Sequence, residues 1–348
     1  MRSKAIYVNG RFLTQPVSGV NRFAYELTRA LISLGTDIVV VCPNREINKE
    51  YDLTGFHIVK FGIGNSHIWE QLSLPFFFLF KRNFVLLIFT GLGPVCMSNK
   101  IMTIHDLAFM ENPNWYSKTY VLWYKMLTPV CSKTSKRVLT VSNFSKREII
   151  RKLRIKEDHI TVIYNAASLC DEVQQISPNG IPDKFFLAVS SIDPRKNFER
   201  LIRVFSDIPE YNLVVVGGGN HVFARVNIPT SHENIVFTGH VSDGELISLY
   251  KNAMAFIYPS LYEGFGIPPI EAMSFGCPVM VSDIEVLHEV CGDAAVFFNP
   301  TDDNEIRDRI LLLAHTPLLC NELRDRGYEN IKRFSWNNSA RRLKEIID

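Results

Sequence analysis

A chain of 348 residues with 47% hydrophobic content is long for one α/β domain and comfortable for two. Its 38 basic and 36 acidic residues leave a net charge of +2, which excludes a global nucleic-acid signature. Seven cysteines without CxxC spacing point to free thiols in a reduced, cytoplasmic setting, and no His/Cys cluster suggests a metal site.

The first residues, MRSKAIYVNGRF, read as a charged tip and a short strand rather than a secretory leader. Strands are expected at Ala5–Val8, Ile38–Cys42, Val85–Phe89, Ile101–Ile104 and Val138–Val141, with helices over Arg22–Leu34 and Phe144–Leu153. Leu72–Gly93 is strongly apolar, but Lys81-Arg82-Asn83 cuts it into runs too short to span a bilayer. An apolar helix or turn followed by a buried strand is the expectation there. Asn165–Lys184 is polar and turn-rich and marks a boundary. The pattern then restarts, with strands at Phe185–Val189, Leu213–Val216, Ile235–Phe237 and Ala255–Tyr258 and helices at Phe198–Phe205 and Asp243–Asn252. A final helix is expected over Asn337–Ile347. Such alternation predicts an α/β chain of parallel sheets covered on both faces. The expected division is 1–168, a linker 169–184, 185–333, and a terminal helix in 334–348.

Within Tyr258–Asp283, Glu263 and Glu271 stand with seven residues between them. Pro268 and Pro269 can open a helix, whose first turn needs no amide donors. Gly276 and Pro278 end it, and Val279–Ser282 resumes strand character. Glu263 is therefore expected on a loop at a strand's C-terminal end, and Glu271 in the first helical turn. Gly264 and Gly266 let bare backbone approach a ligand, and a helix N-terminus attracts an anion. Carboxylates flanking such a loop suit a ligand that is part phosphate and part sugar.

Four further loops follow strands, where α/β sheets bind ligands. Ser190–Asn197, SSIDPRKN, carries Arg195 and Lys196, either phosphate ligands or two solvated bases at a helix start. His105-Asp106 follows the strand Ile101–Ile104. Ser18-Gly19 opens the first helix without the G-x-G-x-x-G spacing of dinucleotide sites, which argues against a dehydrogenase. Gly217-Gly218-Gly219 reads as a tight turn.

The string EGFGIPPIEAM resembles the E-x7-E signature of the retaining nucleotide-sugar glycosyltransferases of family four. The resemblance implies the GT-B architecture: two facing Rossmann-like domains, the donor on the second, the acceptor mainly on the first, and a terminal helix returning to the first domain. It implies that Glu263 contacts the donor sugar, that Glu271 holds the ribose, and that the amides of Phe265, Gly266 and Ile267 face the sugar and phosphates. Arg195 and Lys196 match the family's basic pair, and His105 falls at its reaction centre. Asp106 either orients His105 or binds acceptor. Gly19 would approach the donor phosphates, and the backbone around Val241 would border the base. Neither metal nor other cofactor is expected.

The wording is most similar to bacterial mannosyltransferases of surface-polysaccharide (O-antigen or capsule) assembly. That implies GDP-mannose as donor and a lipid-linked glycan at the cytoplasmic face of the inner membrane as acceptor. UDP-sugar donors, a nucleotide-sugar epimerase and a silent scaffold remain as alternatives. Lys133–Lys156 is markedly basic, with Glu148 its single acid. With Phe76–Phe80 it reads either as a solvated face or as a peripheral attachment to an anionic membrane.

Overall fold

The computed structural model describes residues 4–64, 66–169, 174–176, 178–191, 193–218 and 233–347. The chain divides into two compact units. The first comprises Met1–Leu107, Leu122–Asn165 and Phe334–Asp348, and the second Ala108–Val121 and Ala166–Arg333.

The first unit opens with β1 (Ala5–Asn9), α1 (Gly19–Ser33), β2 (Ile38–Cys42) and β3 (His57–Lys60). Then come α2 (Ser66–Ile68), α3 (Leu74–Phe78), β4 (Phe84–Ile88) and β5 (Lys100–Thr103). After α4 (Ala108–Glu111), which clusters with the second unit, follow α5 (Lys118–Thr134), β6 (Arg137–Thr140), α6 (Asn143–Leu153) and β7 (Ile160–Val162). Seven parallel strands line up as β3-β2-β1-β4-β5-β6-β7, with Ile6 between Ile38 and Val85. Every residue of β4 is buried, as in a parallel strand covered on both faces.

Helix α1 begins at Gly19 rather than Arg22 because Ser18 Oγ accepts from Asn21 N–H at 3.3 Å. It buries Phe23, Leu27, Ala30 and Leu31, the spacing of one helical face. The apolar run before β4 turns out helical from Ser66, with a π-helical turn over Trp69–Ser73 between α2 and α3.

The second unit contains β8 (Phe185–Val189), α7 (Phe198–Ser206), β9 (Asn212–Val216), β10 (Ile235–Gly239), α8 (Asp243–Asn252), β11 (Phe256–Tyr258) and α9 (Ile267–Ser274). It ends with β12 (Val279–Ser282), α10 (Glu285–Cys291), β13 (Ala295–Phe298), α11 (Asp303–His315) and α12 (Pro317–Ile331). Six parallel strands run β10-β9-β8-β11-β12-β13. Phe198, Leu201, Ile202 and Phe205 of α7 and Ile306 and Ile310 of α11 share one core with Phe186, Leu213 and Ile257 of the sheet.

Helix α13 (Trp336–Ile347) belongs to the first unit. Its Trp336 ring stands 5.8 Å from Phe23, Ser339 Oγ donates to the Tyr164 carbonyl at 2.7 Å, and Lys4 Nζ donates to the Ile347 carbonyl at 2.7 Å. Residues 108–121 were expected with 1–168 but cluster with the second unit, where Trp115 meets Tyr262 at 6.5 Å between ring centroids. The strands β3, β7 and β13 and the helices α10–α12 were not read from sequence. Among the described residues, no helix is long and apolar enough to cross a membrane.

Candidate active site

In the second unit, two loops at the C-terminal ends of neighbouring strands are tied together. Asp193 caps a short 3-10 turn, Pro194–Lys196, by accepting from Arg195 N–H at 3.1 Å, and Ser191 Oγ donates to Asp193 at 3.0 Å. Asn197 closes the turn in the left-handed region, φ +58°, a conformation asparagine tolerates. Its amide donates to the carbonyls of Pro259 and Pro300 at 3.2 and 2.7 Å. Leu261 N–H donates to the Arg195 carbonyl at 2.8 Å. The SSIDPRKN loop is thereby held against the loop that carries Glu263. Ile192 lies outside the described residues.

This bracing buries both bases, so the solvated-helix-start alternative does not hold. Lys196 Nζ donates to Glu263 Oε1 at 2.6 Å and to the Tyr258 hydroxyl at 2.9 Å, and that hydroxyl donates to the same Oε1 at 2.8 Å. Arg195 Nη1 lies 3.8 Å from Glu263 Oε2. Burial alone would raise the Glu263 pKa, but the adjacent Lys196 and Arg195 outweigh it and hold it down to about 2. Burial also draws Lys196 below its ordinary value, against the pull of Glu263. Glu263 is an ionised carboxylate, since two cations and a hydroxyl converge on it. Tyr258 is pushed well above its usual range by burial and then by the Glu263 charge, which keeps it a neutral phenol.

Helix α9 opens at Gly266, whose φ of +103° is left-handed and whose missing Cβ would stand 2.9 Å from Leu287 Cδ2. Pro268 and Pro269 follow in the first turn, where they cost no helix hydrogen bond. Because the helix starts at Ile267, Glu271 is its fifth residue, just past the first turn where the sequence had suggested it. Glu271 is buried, and after burial its charge is the next influence raising the buried Tyr250. Phe265 and Gly266 are buried in this loop, with Ile267 half-buried. Val241 precedes a capping box in which Ser242 and Glu245 exchange side-chain-to-backbone hydrogen bonds. Gly217 has a stricter reason than a tight turn: a Cβ there would sit 1.9 Å from the Ser190 carbonyl oxygen, and its φ is +130°. Gly219 lies outside the described residues.

The first unit places His105 just beyond β5. Its Nε2 is 2.9 Å from the Phe89 carbonyl, so Nε2–H donates and the neutral ring keeps Nδ1 as acceptor. Burial lowers its pKa, opposed by the Phe89 carbonyl and by Asp106. The Phe23 ring stands edge-on at 4.9 Å, and Ser145 Oγ donates to the His105 carbonyl at 3.1 Å. Asp106 is half-buried beside it, and Gly19 is the exposed first residue of α1. His105, Asp106 and Gly19 thus belong to one unit, and Arg195, Lys196, Val241, Glu263, Phe265, Gly266, Ile267 and Glu271 to the other.

Sequence reasoning missed Tyr258, Asp193 and Asn197, which position the basic pair. It also missed a buried polar cluster at the end of β1. There Glu70 accepts from Asn9 Nδ2 at 2.7 Å and from Arg11 Nη1 at 3.1 Å, and a Cβ on Gly91 would stand 2.6 Å from Arg11. The NGRF string held the only local signal. Among the described residues, no group of His, Cys, Asp and Glu could hold a metal ion.

Residues 171–333 match the family described as glycosyl transferases group 1, and residues 17–169 match glycosyltransferase family 4. The O-antigen chain mannosyltransferase B of Escherichia coli is 31% identical over 70% of this chain and 69% of its own length. The chain belongs to glycosyltransferase family 4. The O-antigen chain mannosyltransferase RfbU of Salmonella typhimurium is 34% identical to this family member over 64% of the chain, which spans 62% of that relative, under two thirds of its length. Among solved structures, the sucrose-phosphate synthase of Thermosynechococcus elongatus superposes with a TM-score of 0.76 at 16% identity, covering 99% of this chain and 98% of that one. The fold is thus that of the GT-B glycosyltransferases, two Rossmann-like domains with parallel sheets.

Proposed function

We propose that the protein transfers mannose from GDP-mannose to a lipid-linked glycan in bacterial surface-polysaccharide assembly, with retention at the anomeric carbon. The observation that carries this reading is the buried Lys196–Glu263 pair, with Arg195 beside it and the α9 N-terminus in the same loop. An ammonium has three N–H donors, and Lys196 commits two to Glu263 and Tyr258. The third is available to a diphosphate oxygen, and Arg195 adds its planar fork. Glu263, ionised, accepts from a sugar hydroxyl on the other side of the pair. Mannose rather than another hexose rests on the two relatives named as mannosyltransferases.

In the proposed reaction the bond from the anomeric carbon to the diphosphate oxygen breaks and GDP leaves with its electron pair. The acceptor hydroxyl oxygen bonds to the same face of that carbon, and its proton passes to the leaving phosphate oxygen. Arg195, Lys196 and the backbone amides near Ile267 stabilise the charge that develops on the diphosphate, with no metal required. Glu271 holds the ribose, the Val241 backbone borders the base, and Gly19 approaches the phosphates. His105, a neutral imidazole, contacts the donor sugar from the first unit, and Asp106 binds acceptor. The enzyme would work at the cytoplasmic face of the inner membrane, the side on which nucleotide sugars are supplied.

The test is incubation of pure protein with GDP-mannose or UDP-hexoses and a lipid-linked acceptor, with the product analysed by mass and anomeric configuration. Mannosyl transfer with retained configuration is the expected result. Turnover of a UDP-sugar with no use of GDP-mannose would overturn the donor assignment.

A further inference from the structure

The first unit carries two exposed apolar stripes that the transfer reaction does not use. Along α2, the π turn and α3, Ile68, Leu72, Phe76 and Phe80 recur every fourth residue, the spacing of one helical face. All four are open to solvent, Leu72 at 69%, Phe76 at 66% and Phe80 at 89%. Along α5, Leu122, Met126 and Val130 repeat the same spacing, Leu122 at 71% exposure, with Trp123 beside them. The two stripes are neighbours, since the His67 ring stands 5.9 Å from Trp123 and 5.7 Å from Tyr124. Exposed large apolar side chains in one continuous surface mark an interaction site.

Charge decides what covers it. Residues 71–84 and 122–137 contain no acid and carry Lys81, Arg82, Lys125, Lys133, Lys136 and Arg137. A second copy seated on this face would set base against base with no carboxylate to answer. An anionic lipid surface supplies negative headgroups at the rim and hydrocarbon beneath, which is the chemistry of an interfacial amphipathic helix. The basic stretch singled out in the sequence is a weaker candidate. On α6, Glu148 pairs with Arg151 at 2.7 Å and Lys152 at 3.0 Å, and Lys146 pairs with Glu157 at 3.0 Å, so much of that charge is answered within the protein.

We propose that the α2–α3 and α5 stripes together form a bilayer-docking face that lays the first unit on an anionic membrane. The proposal extends the lipid-linked-acceptor reading, and its test contains neither donor nor acceptor, so the two can fail separately. Full-length protein is sedimented with vesicles of phosphatidylglycerol and phosphatidylethanolamine, or of phosphatidylcholine alone, across a range of salt. Binding to the anionic vesicles at low salt, weakening but not vanishing as salt rises, is expected, because screening removes the charge contribution and leaves the apolar one. The variant Leu72→Gln, Phe76→Gln, Phe80→Gln and the variant Leu122→Gln, Met126→Gln should each bind about tenfold less. The variant Arg147→Gln, Arg151→Gln on α6 should bind like the parent. Unchanged circular dichroism and thermal midpoint certify the fold, and single changes at Phe76 or Phe80 serve if a multiple variant is unstable. The proposal is overturned if the parent stays in the supernatant with anionic vesicles at low salt, or if folded stripe variants bind as well as the parent. It is equally overturned if binding is lost only on changing α6, or if sedimentation velocity shows the parent to be a dimer that the stripe variants dissociate.

Discussion

Lys196 Nζ lies 2.6 Å from Glu263 Oε1 across 67 residues of sequence, and both side chains are buried. Removing Lys196 takes the nearest cation from the buried Glu263 carboxylate and leaves it Arg195 at 3.8 Å and the Tyr258 hydroxyl. Lys196→Ala should therefore cost about 3–5 kcal/mol of stability, and Lys196→Met with Glu263→Met should recover much of that loss. Urea titration followed by circular dichroism measures both. A cost for Lys196→Ala of about 1 kcal/mol or less, the worth of a surface pair, would show that Arg195 and Tyr258 satisfy the carboxylate without Lys196.

The same pair has an acid limit. Glu263 sits at about 2 in the fold against an ordinary value of 4.5. A lowered carboxylate pKa stabilises the fold fully above the ordinary value, and the contribution is lost as pH falls through the folded one. Stability should therefore decline from about pH 4.5 toward 2, and Glu263→Gln should flatten that part of the curve. Parallel slopes for parent and variant would contradict it.

His105 should behave as a neutral imidazole at pH 7, protonated at Nε2 by virtue of the Phe89 carbonyl. Its pKa is lowered from 6.5, so the unfolded chain takes up this proton first and stability should fall as pH drops below that value. Nitrogen-15 spectra of histidine-labelled protein read the tautomer directly, and an Nδ1–H ring would refute the assignment. His105→Ala should reduce turnover by about tenfold, the worth of a lost hydrogen bond to the donor sugar, with little change in GDP affinity, because the residues proposed to hold base and ribose lie on the other unit.

Glu271→Ala should weaken nucleotide-sugar binding by about 1.5–3 kcal/mol, the worth of a hydrogen bond to a charged acceptor. Calorimetry with GDP, GDP-mannose and UDP-sugars tests the ribose role. Unchanged affinity for every nucleotide that binds the parent would remove it.

Activity should persist in EDTA, since Arg195, Lys196 and the amides near Ile267 are assigned the charge of the leaving diphosphate. Complete loss of turnover on chelation, restored by magnesium or manganese, would overturn that assignment.

The sequence alone determined the fold class and the Tyr258–Asp283 loop, because both are written in local signals. Parallel strands buried on two faces leave uninterrupted apolar runs, as in Phe84–Ile88 and Phe185–Val189. The glycines and prolines of Tyr258–Asp283 set their own backbone geometry, and Asp243–Asn252 coincides with its helix because Ser242 and Glu245 cap it within four residues. Short edge strands such as His57–Lys60 escaped, since four half-exposed residues carry too little pattern.

Only the tertiary structure decided what the polar residues do. Arg195 and Lys196 left a solvated-base alternative open, and burial against Tyr258 and Glu263 made them a charged cluster. Glu70 drew no reading from the sequence, and it acquires its role because Asn9 and Arg11 close on it from about 60 residues away. Residues 108–121 joined the second unit through Trp115 and Tyr262, a pairing no local pattern announces. Exposure of Phe76 and Phe80 is likewise a property of what the fold leaves uncovered. The physical reason is common to all four. Desolvation and Coulomb energy depend on distances between segments far apart in the chain, and those distances exist only once the sheets have formed.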